Sequence, residues 1–428
     1  MDYPGAVAYL DAHIGLGGGH GLERMRDLME RMGHPEQGYP IVHVAGTNGK
    51  TSTSRLTSLI LVAHGLTTGT YTSPHLQLVE ERLAVNGRTA TRDEFAIAVT
   101  DAAAFAETHE QGGGSPYTYF ELATASGFAF FADQAVNAAV LEVGLGGRLD
   151  ATNVVDAEVC VITSIGLDHT ELLGDDLAQI AGEKAAIAGL NSILVSGPLP
   201  ASALEVVAGR ARELGIQHRR FGDDFEIVGA ERGVGGWLTT IRGAEAEYED
   251  VFLPLHGRHQ VINLAMAIAA TEALLGDRLD PEAVRDASAA ATAPGRMEPL
   301  ARSPLVLVDG AHNVDGVEVL VEALKEEFPT TSWHLVLGVM GDKNVELMVE
   351  RLAPVLEGVV TAAVDSERAV SASELAERVA ARVSIPVLVS EGVGDALDMA
   401  RAEAGPGGAV LVTGSLYLVG RVRDILMG

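Results

Sequence analysis

IVHVAGTNGKTSTSRL, residues 41–56, decides how this chain is read. It ends a phosphate-loop pattern, G-x-x-x-x-G-K-[ST], at Gly49-Lys50-Thr51. The first glycine of that pattern belongs at position 44, which is Val44, and the glycine stands instead at Gly46. Context decides between chance and a variant loop. IVHVA is apolar and β-branched, as a buried strand should be. Beyond the loop, Leu56, Leu59, Ile60 and Ala63 recur at helical spacing, and Gly65 ends the run. Strand, tight turn and helix start together present free N–H groups and a helix dipole that attract phosphate. Lys50 is then placed to reach the outer phosphates and Thr51 to offer a hydroxyl to Mg²⁺. The shortened loop reads as a phosphate loop of another build.

The 428 residues predict two domains, and 47% apolar residues are ample for their cores. No apolar run reaches 18 residues, so no membrane span is expected. The start, MDYPGAVAYLDAH, lacks the basic and apolar regions of a signal peptide. The single cysteine, Cys160, sits in the apolar run VCVITSI and reads as a core thiol; a cytoplasmic location is expected. The formal charge is 30 − 59 = −29, which opposes binding to nucleic acid or anionic membranes. A nucleotide then needs a local cationic pocket, for which Lys50, Arg82, Arg296 and metal ions are candidates.

Strand and helix patterns alternate along the chain, predicting an α/β fold with a mainly parallel first sheet. Alternation and glycine turns between Phe221 and Leu255 predict a small antiparallel part. TAPGRMEPLARSP, with Pro294, Pro299 and Pro304, reads as a linker. From Leu305 five apolar strands alternate with helices, a second parallel α/β unit. The expected division is residues 1–295 and 296–428.

Ligands bind at the carboxyl edge of parallel sheets. Polar clusters fall at that edge: Ser73-Pro74-His75, Glu142, Asp168-His169, Asp309 to Asn313, Asp342-Lys343-Asn344 and Ser415. Each alone has a plain reading as a turn residue, an ion pair or a helix cap. Together they point to one site beside a phosphate loop. There is no CxxC, HExxH or G-x-S-x-G, so a zinc site or a hydrolase triad has no anchor.

HVAGTNGKT, TSPHL with EER, LEVGLGGRLDATN, ITSIGLDHTELLG, EKAAI, GRHQVINLAMAIAA, PGRME, DGAHN and VTGSLYLVG occur in this order from about Gly21 to the C-terminus. In these motifs the chain resembles folylpolyglutamate synthase and dihydrofolate synthase, within the murein-ligase superfamily, whose phosphate loop is G-T-N-G-K. Many bacterial members have glycine where Thr51 stands, which leaves open whether Thr51 or Ser52 faces the metal. Murein ligases carry a domain before the ATPase domain, whereas about 45 residues precede the loop in this chain.

The resemblance implies a P-loop ATPase domain carrying the pteroate pocket and a Rossmann-like second domain that binds glutamate and completes the ATP site. It implies that Thr47, Asn48, Gly49, Lys50, Thr51 and Ser52 hold ATP phosphates, and that Asn263, Arg296 and Asp309 also contact ATP. Ser73, Glu142 and His169 would bind Mg²⁺, expected as two ions. His312 and Ser415 would meet incoming L-glutamate, and Phe120, Glu121, Asp150, Ala151 and Thr152 the folate or dihydropteroate. Catalytic roles fall to Lys50, Lys184 and His312, in a monomer. A phosphoryl transferase with the same loop, or a non-catalytic nucleotide-binding module, are the competing readings. Lys184 lies among Ile180, Ala181, Ala185 and Ile187, an apolar setting that lowers the proton affinity of an amine. A neutral amine adds CO₂, and the resemblance implies a carboxylated lysine at Lys184.

Overall fold

The computed structural model describes residues 1–16, 21–364, 366 and 368–428. Its first sheet is built from β1 (Ile41–Ala45), β2 (Thr68–Tyr71), β3 (Leu83–Val85), β4 (Arg88–Thr89), β5 (Ala138–Glu142), β6 (Val159–Ile162), β7 (Ile193–Ser196) and β8 (His218–Arg220). Their order is β4-β3-β2-β5-β1-β6-β7-β8, parallel from β2 to β8 and antiparallel only at the β2-β3-β4 edge. The strand read first, β1, is therefore central, with β5 and β6 on either side.

Central position explains its composition. Every residue of β1 is buried. Ile41 and Ala45 enter one apolar cluster, with the helix Tyr119–Asp133, while Val42 and Val44 enter another, with the helices Lys50–Ala63 and Arg258–Leu275. A strand covered on both faces reads as a continuous apolar run, which is the IVHVA pattern. The expected antiparallel part is present as a three-stranded sheet of β9 (Glu226–Gly233), β10 (Gly236–Arg242) and β11 (Glu247–Leu253), in the order β11-β10-β9.

The second sheet contains β12 (Glu298–Arg302), β13 (Leu305–Val308), β14 (Trp333–Leu337), β15 (Leu356–Ala362), β16 (Val387–Ser390) and β17 (Ala409–Thr413), in the order β12-β13-β17-β14-β15-β16. Five strands are parallel, as expected from Leu305 onward. The sixth corrects the reading of TAPGRMEPLARSP as linker throughout. Glu298–Arg302 pairs antiparallel with β13. Pro299 is tolerated because β12 is an edge strand, where a missing N–H breaks no ladder on its open side.

The two sheets meet across a cleft and touch at separate places. The Leu76–Gln77 loop packs on the C-terminal helix Leu416–Met427, where Gln77 Nε2 donates to Asp424 at 2.7 Å and Arg423 Nε donates to Gln77 at 2.9 Å. The helix Val314–Glu327 begins beside the phosphate loop and ends at Glu327, which accepts from the Gly257 amide and lies 2.5 Å from His256 Nδ1. A side-chain carbon added at Gly420 would come within 2.1 Å of the Leu76 carbonyl, so that helix docks through bare backbone. Gly420→Ala is expected to cost about 1–3 kcal/mol by overpacking, seen as a lower denaturation midpoint. Gly407→Ala, where an added carbon meets nothing within 4 Å, is expected to leave the midpoint unchanged.

Candidate active site

Gly46 answers the anomaly in the loop. A carbon added there would lie 1.9 Å from Thr163 Oγ1, so the chain turns off β1 hard against the segment that follows β6. That segment fixes the loop: the Thr47 amide donates to the Ser164 carbonyl at 2.8 Å, the Asn48 amide to Ser164 Oγ at 2.9 Å, and Thr163 Oγ1 to the Asn48 carbonyl at 2.7 Å. Gly49 is left-handed at φ +87° and begins the helix Lys50–Ala63. The glycine is thus needed where the strand meets β6, two residues later than the common pattern puts it.

Two ammonium groups converge on the Gly46 carbonyl: Lys50 Nζ at 3.0 Å and Lys184 Nζ at 3.1 Å. Lys50 also reaches the Thr47 carbonyl at 3.2 Å. Burial holds Lys50 below the ordinary lysine range. Lys184 is 5% exposed, and burial, then the Lys50 charge, push it down to about 7.

Across the loop lies Glu142, at the end of β5 and buried, which raises its carboxyl above the usual range. It accepts from Thr51 Oγ1 at 2.8 Å and from the Ser73 amide at 3.2 Å. Of the two candidate hydroxyls, Thr51 is therefore the one that faces Glu142. Ser73 Oγ is buried and has no hydrogen-bond partner. A lone buried hydroxyl beside a carboxylate fits a hard cation, which would use both oxygens. His169 stands at the start of the short helix Thr170–Leu173, in a left-handed conformation and without a side-chain cap bond, and borders the same cleft. Among the described residues no three His, Cys, Asp or Glu side chains form a ready-made metal cage. Mg²⁺ keeps waters and takes substrate phosphate oxygens, so the Ser73 hydroxyl and the Glu142 carboxylate are the kind of sparse oxygen set that would hold it.

The second sheet supplies the opposite wall. Asp168 accepts from Lys343 Nζ at 2.7 Å and from Asn313 Nδ2 at 2.9 Å, and His312 Nε2 lies 3.6 Å away. These cations and donors outweigh its burial and hold Asp168 well below the carboxylate range. Asn313 also pairs with Asn48 of the phosphate loop, at 3.2 Å. His312 donates from Nδ1 to the Gly310 carbonyl at 2.8 Å, and burial pushes it down to about 4. Its Nε2 is then unprotonated near neutrality and open to a donor. Asp309 accepts from the Met297 and Ala311 amides at 2.9 and 2.8 Å, stitching the residue after Arg296 to the end of β13. Ser415 Oγ caps the C-terminal helix by accepting from the Tyr417 amide.

The cleft measures about 540 Å³. From the first sheet it is lined by Thr47 to Ser52, Ser73, Glu142, His169, Lys184 and Asn263, and from the second side by Arg296, Asp309, His312 and Ser415. The five residues expected near a pteroate pocket are not in that lining. Glu121 is taken up by Arg24 at 3.1 Å and by the Thr118 amide at 2.8 Å. Asp150 accepts from Thr152 and from the Leu145 amide. Phe120, by contrast, lies against Gly144, which does line the cleft. Ala151 and Thr152 open the short turn that follows Asp150.

Lys343 and Asn313 stand in the sequence as strand-end polar residues without an assigned role. Their contacts to Asp168 and Asn48 cross between the sheets, and no local pattern encodes them. His259 and Gln260 line the cleft one turn before Asn263, and their place on the first turn of an apolar helix was the available signal.

The Mur ligase middle domain family matches residues 44–271, and the Mur ligase glutamate ligase domain family matches residues 295–416. The dihydrofolate synthase/folylpolyglutamate synthase of Mycobacterium tuberculosis is 36% identical over 437 residues, covering 94% of this chain and 89% of its own. That of Bacillus subtilis is 35% identical over 428 residues, covering 99% of each. The solved structure of Mycobacterium tuberculosis folylpolyglutamate synthase complexed with ADP superposes with a TM-score of 0.94 at 35% identity, covering 99% of this chain and 98% of that one. E. coli FolC in complex with DHPP and ADP superposes with a TM-score of 0.89 at 32% identity, covering 100% and 98%.

Lys184 makes a pH prediction. Its folded value of about 7 lies below the ordinary 10.5, so between these values the unfolded chain holds a proton that the folded protein has released. Stability therefore rises with pH across that window, and below about 7 the whole charge-burial penalty remains. In CO₂-free buffer, Lys184→Met is expected to raise the melting temperature by several degrees at pH 6 to 7. It should also flatten the rise toward pH 10; calorimetry across this range checks both.

Proposed function

The chain belongs to the folylpolyglutamate/dihydrofolate synthase family of the Mur ligases, and on that footing we propose that it joins L-glutamate to the carboxylate of a folate or dihydropteroate. It is an ATP-dependent ligase, with ADP and phosphate as co-products. The observation that carries the reading at this site is one cleft where a phosphate loop, a carboxylate beside an unpartnered hydroxyl, and cations from a second sheet converge.

The acceptor carboxylate attacks the γ-phosphorus of ATP, the bond to the ADP oxygen breaks, and an acyl phosphate forms. The amine of glutamate then attacks the acyl carbon, phosphate leaves, and the nitrogen gives up its extra proton. The first step brings anion to anion, at about 4 kcal/mol for one pair 4 Å apart at an effective dielectric of 20. Lys50 offsets that repulsion from the loop, and Arg296 does so from the opposite wall. Ser73, Glu142 and His169, with Thr51 beside Glu142, would hold Mg²⁺, whose chemistry is to polarise phosphoryl oxygens and neutralise developing charge. Two such ions are proposed. His312 offers Nε2 to the incoming ammonium, and Ser415 lies on the same wall. Closure of the two walls would keep water from the acyl phosphate.

Lys184 takes a further part in this reading. An amine near pH 7 in proton affinity is partly neutral under working conditions. It can add CO₂ and release a proton, turning a cation into a carbamate anion. That removes the repulsion from Lys50 and adds a ligand for metal. The protein is proposed to be a cytoplasmic monomer with residues 1–295 and 296–428 as its domains; among the described residues no helix is long and apolar enough to cross a membrane.

Purified protein with ATP, Mg²⁺ and glutamate is expected to add one glutamate mass to dihydropteroate, tetrahydrofolate or both. ADP release without any new amide would replace the ligase reading by a phosphoryl-transfer one. Arg296→Ala is expected to raise the KM for ATP by about tenfold or more, as loss of a charge-assisted contact should, with little change in melting temperature. Lys184→Ala is expected to be nearly inactive and partly rescued by acetate. Full activity without rescue would remove the carbamate.

A further inference from the structure

Glu327 is a buried acid that the mechanism above does not use. It ends the helix Val314–Glu327, which packs on the second sheet, and it is 8% exposed. Both of its oxygens serve residues on the other side of the molecule. One accepts from the Gly257 amide, and the other lies 2.5 Å from His256 Nδ1. Glutamate is seldom buried unless it is paired in this way.

Gly257 leads into the helix Arg258–Leu275, which packs on the first sheet. The start of that helix lacks the usual supports. Gly257 has no side chain to cap it, and the first turn, Arg258-His259-Gln260, has no acid. Free N–H groups and the positive end of the helix dipole favour a carboxylate there. The carboxylate comes instead from Glu327, 70 positions further along the chain.

What Glu327 holds is a wall of the cleft. A carbon added at Gly257 would come within 2.2 Å of the His259 ring, so the two residues move together. The Gly257 carbonyl accepts from the Gln260 amide at 2.9 Å, and Gln260 Oε1 accepts from Asn263 Nδ2 at 3.0 Å. Asn263 Oδ1 packs on the phosphate loop, 2.7 Å from where a carbon at Gly49 would stand. His259, Gln260 and Asn263 all line the cleft. At its other end the helix of Glu327 meets the same loop, through Asn313 and Asn48. One strut of 14 residues, about 21 Å long, therefore touches the nucleotide side at both ends.

We propose that Glu327 is a positioning residue for the nucleotide: it holds Gly257 from across the cleft, and through Gly257 it sets His259, Gln260 and Asn263 against the phosphate loop. The proposal rests on the ATP-dependent reading for what fills this part of the cleft, but not for the contacts. Charge alone predicts the opposite sign. Removing a buried anion would tighten the hold on a nucleotide polyanion, whereas losing the support of Gly257 weakens it.

The test titrates ADP with Mg²⁺ into the whole protein by calorimetry. Glu327→Ala is expected to weaken ADP binding about tenfold, the size of one lost hydrogen bond to a charged group. The KM for ATP should rise equally, with the KM for glutamate unchanged. Amide exchange at Gly257 should quicken in the unliganded protein. Glu327→Gln keeps an acceptor oxygen at the same reach and should restore most of the affinity and the protection. Glu326→Ala removes the exposed neighbouring acid and should change neither. If Glu327→Ala does not fold, Glu327→Asp, one methylene shorter, should give the same loss. Unchanged or tighter ADP binding, equal rises in the KM for ATP and for glutamate, or a glutamine variant no better than alanine would each overturn the proposal. Failure of the parent protein to bind ADP would instead sink the nucleotide reading, and the proposal with it.

Discussion

One carbonyl oxygen, that of Gly46, receives two lysine side chains, and much of the site follows from this crowding. Two like charges sharing one acceptor in a buried place repel each other strongly. The protein relieves the repulsion partly by lowering the proton affinity of Lys184, and a bound polyanion would relieve the rest. The same oxygen is where β1 turns against the segment after β6, so the loop cannot move away to separate the charges. A rigid backbone and an unfavourable charge pair together make a site whose electrostatics improve when phosphate enters.

Asp168, which follows β6 on the same side as the loop, has the reverse problem. Asp168 is an anion beside the phosphate loop, where it would repel a nucleotide, and Lys343 and Asn313 cover it from the second sheet. The pairing bridges the two sheets, so the charge on Asp168 is neutralised only while they are together. Breaking a buried pair of this kind is costly because one charge is left unpaired. The contact thus links electrostatic readiness for ATP to the closed arrangement of the walls.

The phosphate loop, the central strand and the strand-end clusters were legible in the sequence because each is local. A strand, two glycines and a helix start lie within sixteen residues, and a strand end is marked by the change from apolar to polar. Edge strand β12 was not legible because its prolines carry the signature of a linker, and only its partner β13 shows that it is a strand. The Lys343–Asp168 pair spans 175 positions in the chain, beyond any pattern a single sequence displays. Nor was it legible that Glu121 and Asp150 already have partners, since acidic residues near a pocket look alike until their neighbours are known. The resemblance supplied the site roles that periodicity could not.

Strand β12 also has a consequence for recombining this chain with its relatives. The residues that leave the first sheet are sewn at once into the edge of the second, and Asp309 ties Met297 to the end of β13. A crossover inside 297–308 would pair a strand from one parent with an edge evolved for another. One between the helix Pro281–Ala289 and Gly295 would carry Arg296 and its supporting strand across intact. Chimaeras should therefore have a narrow seam here, lying before Arg296 rather than at Pro299 or Pro304.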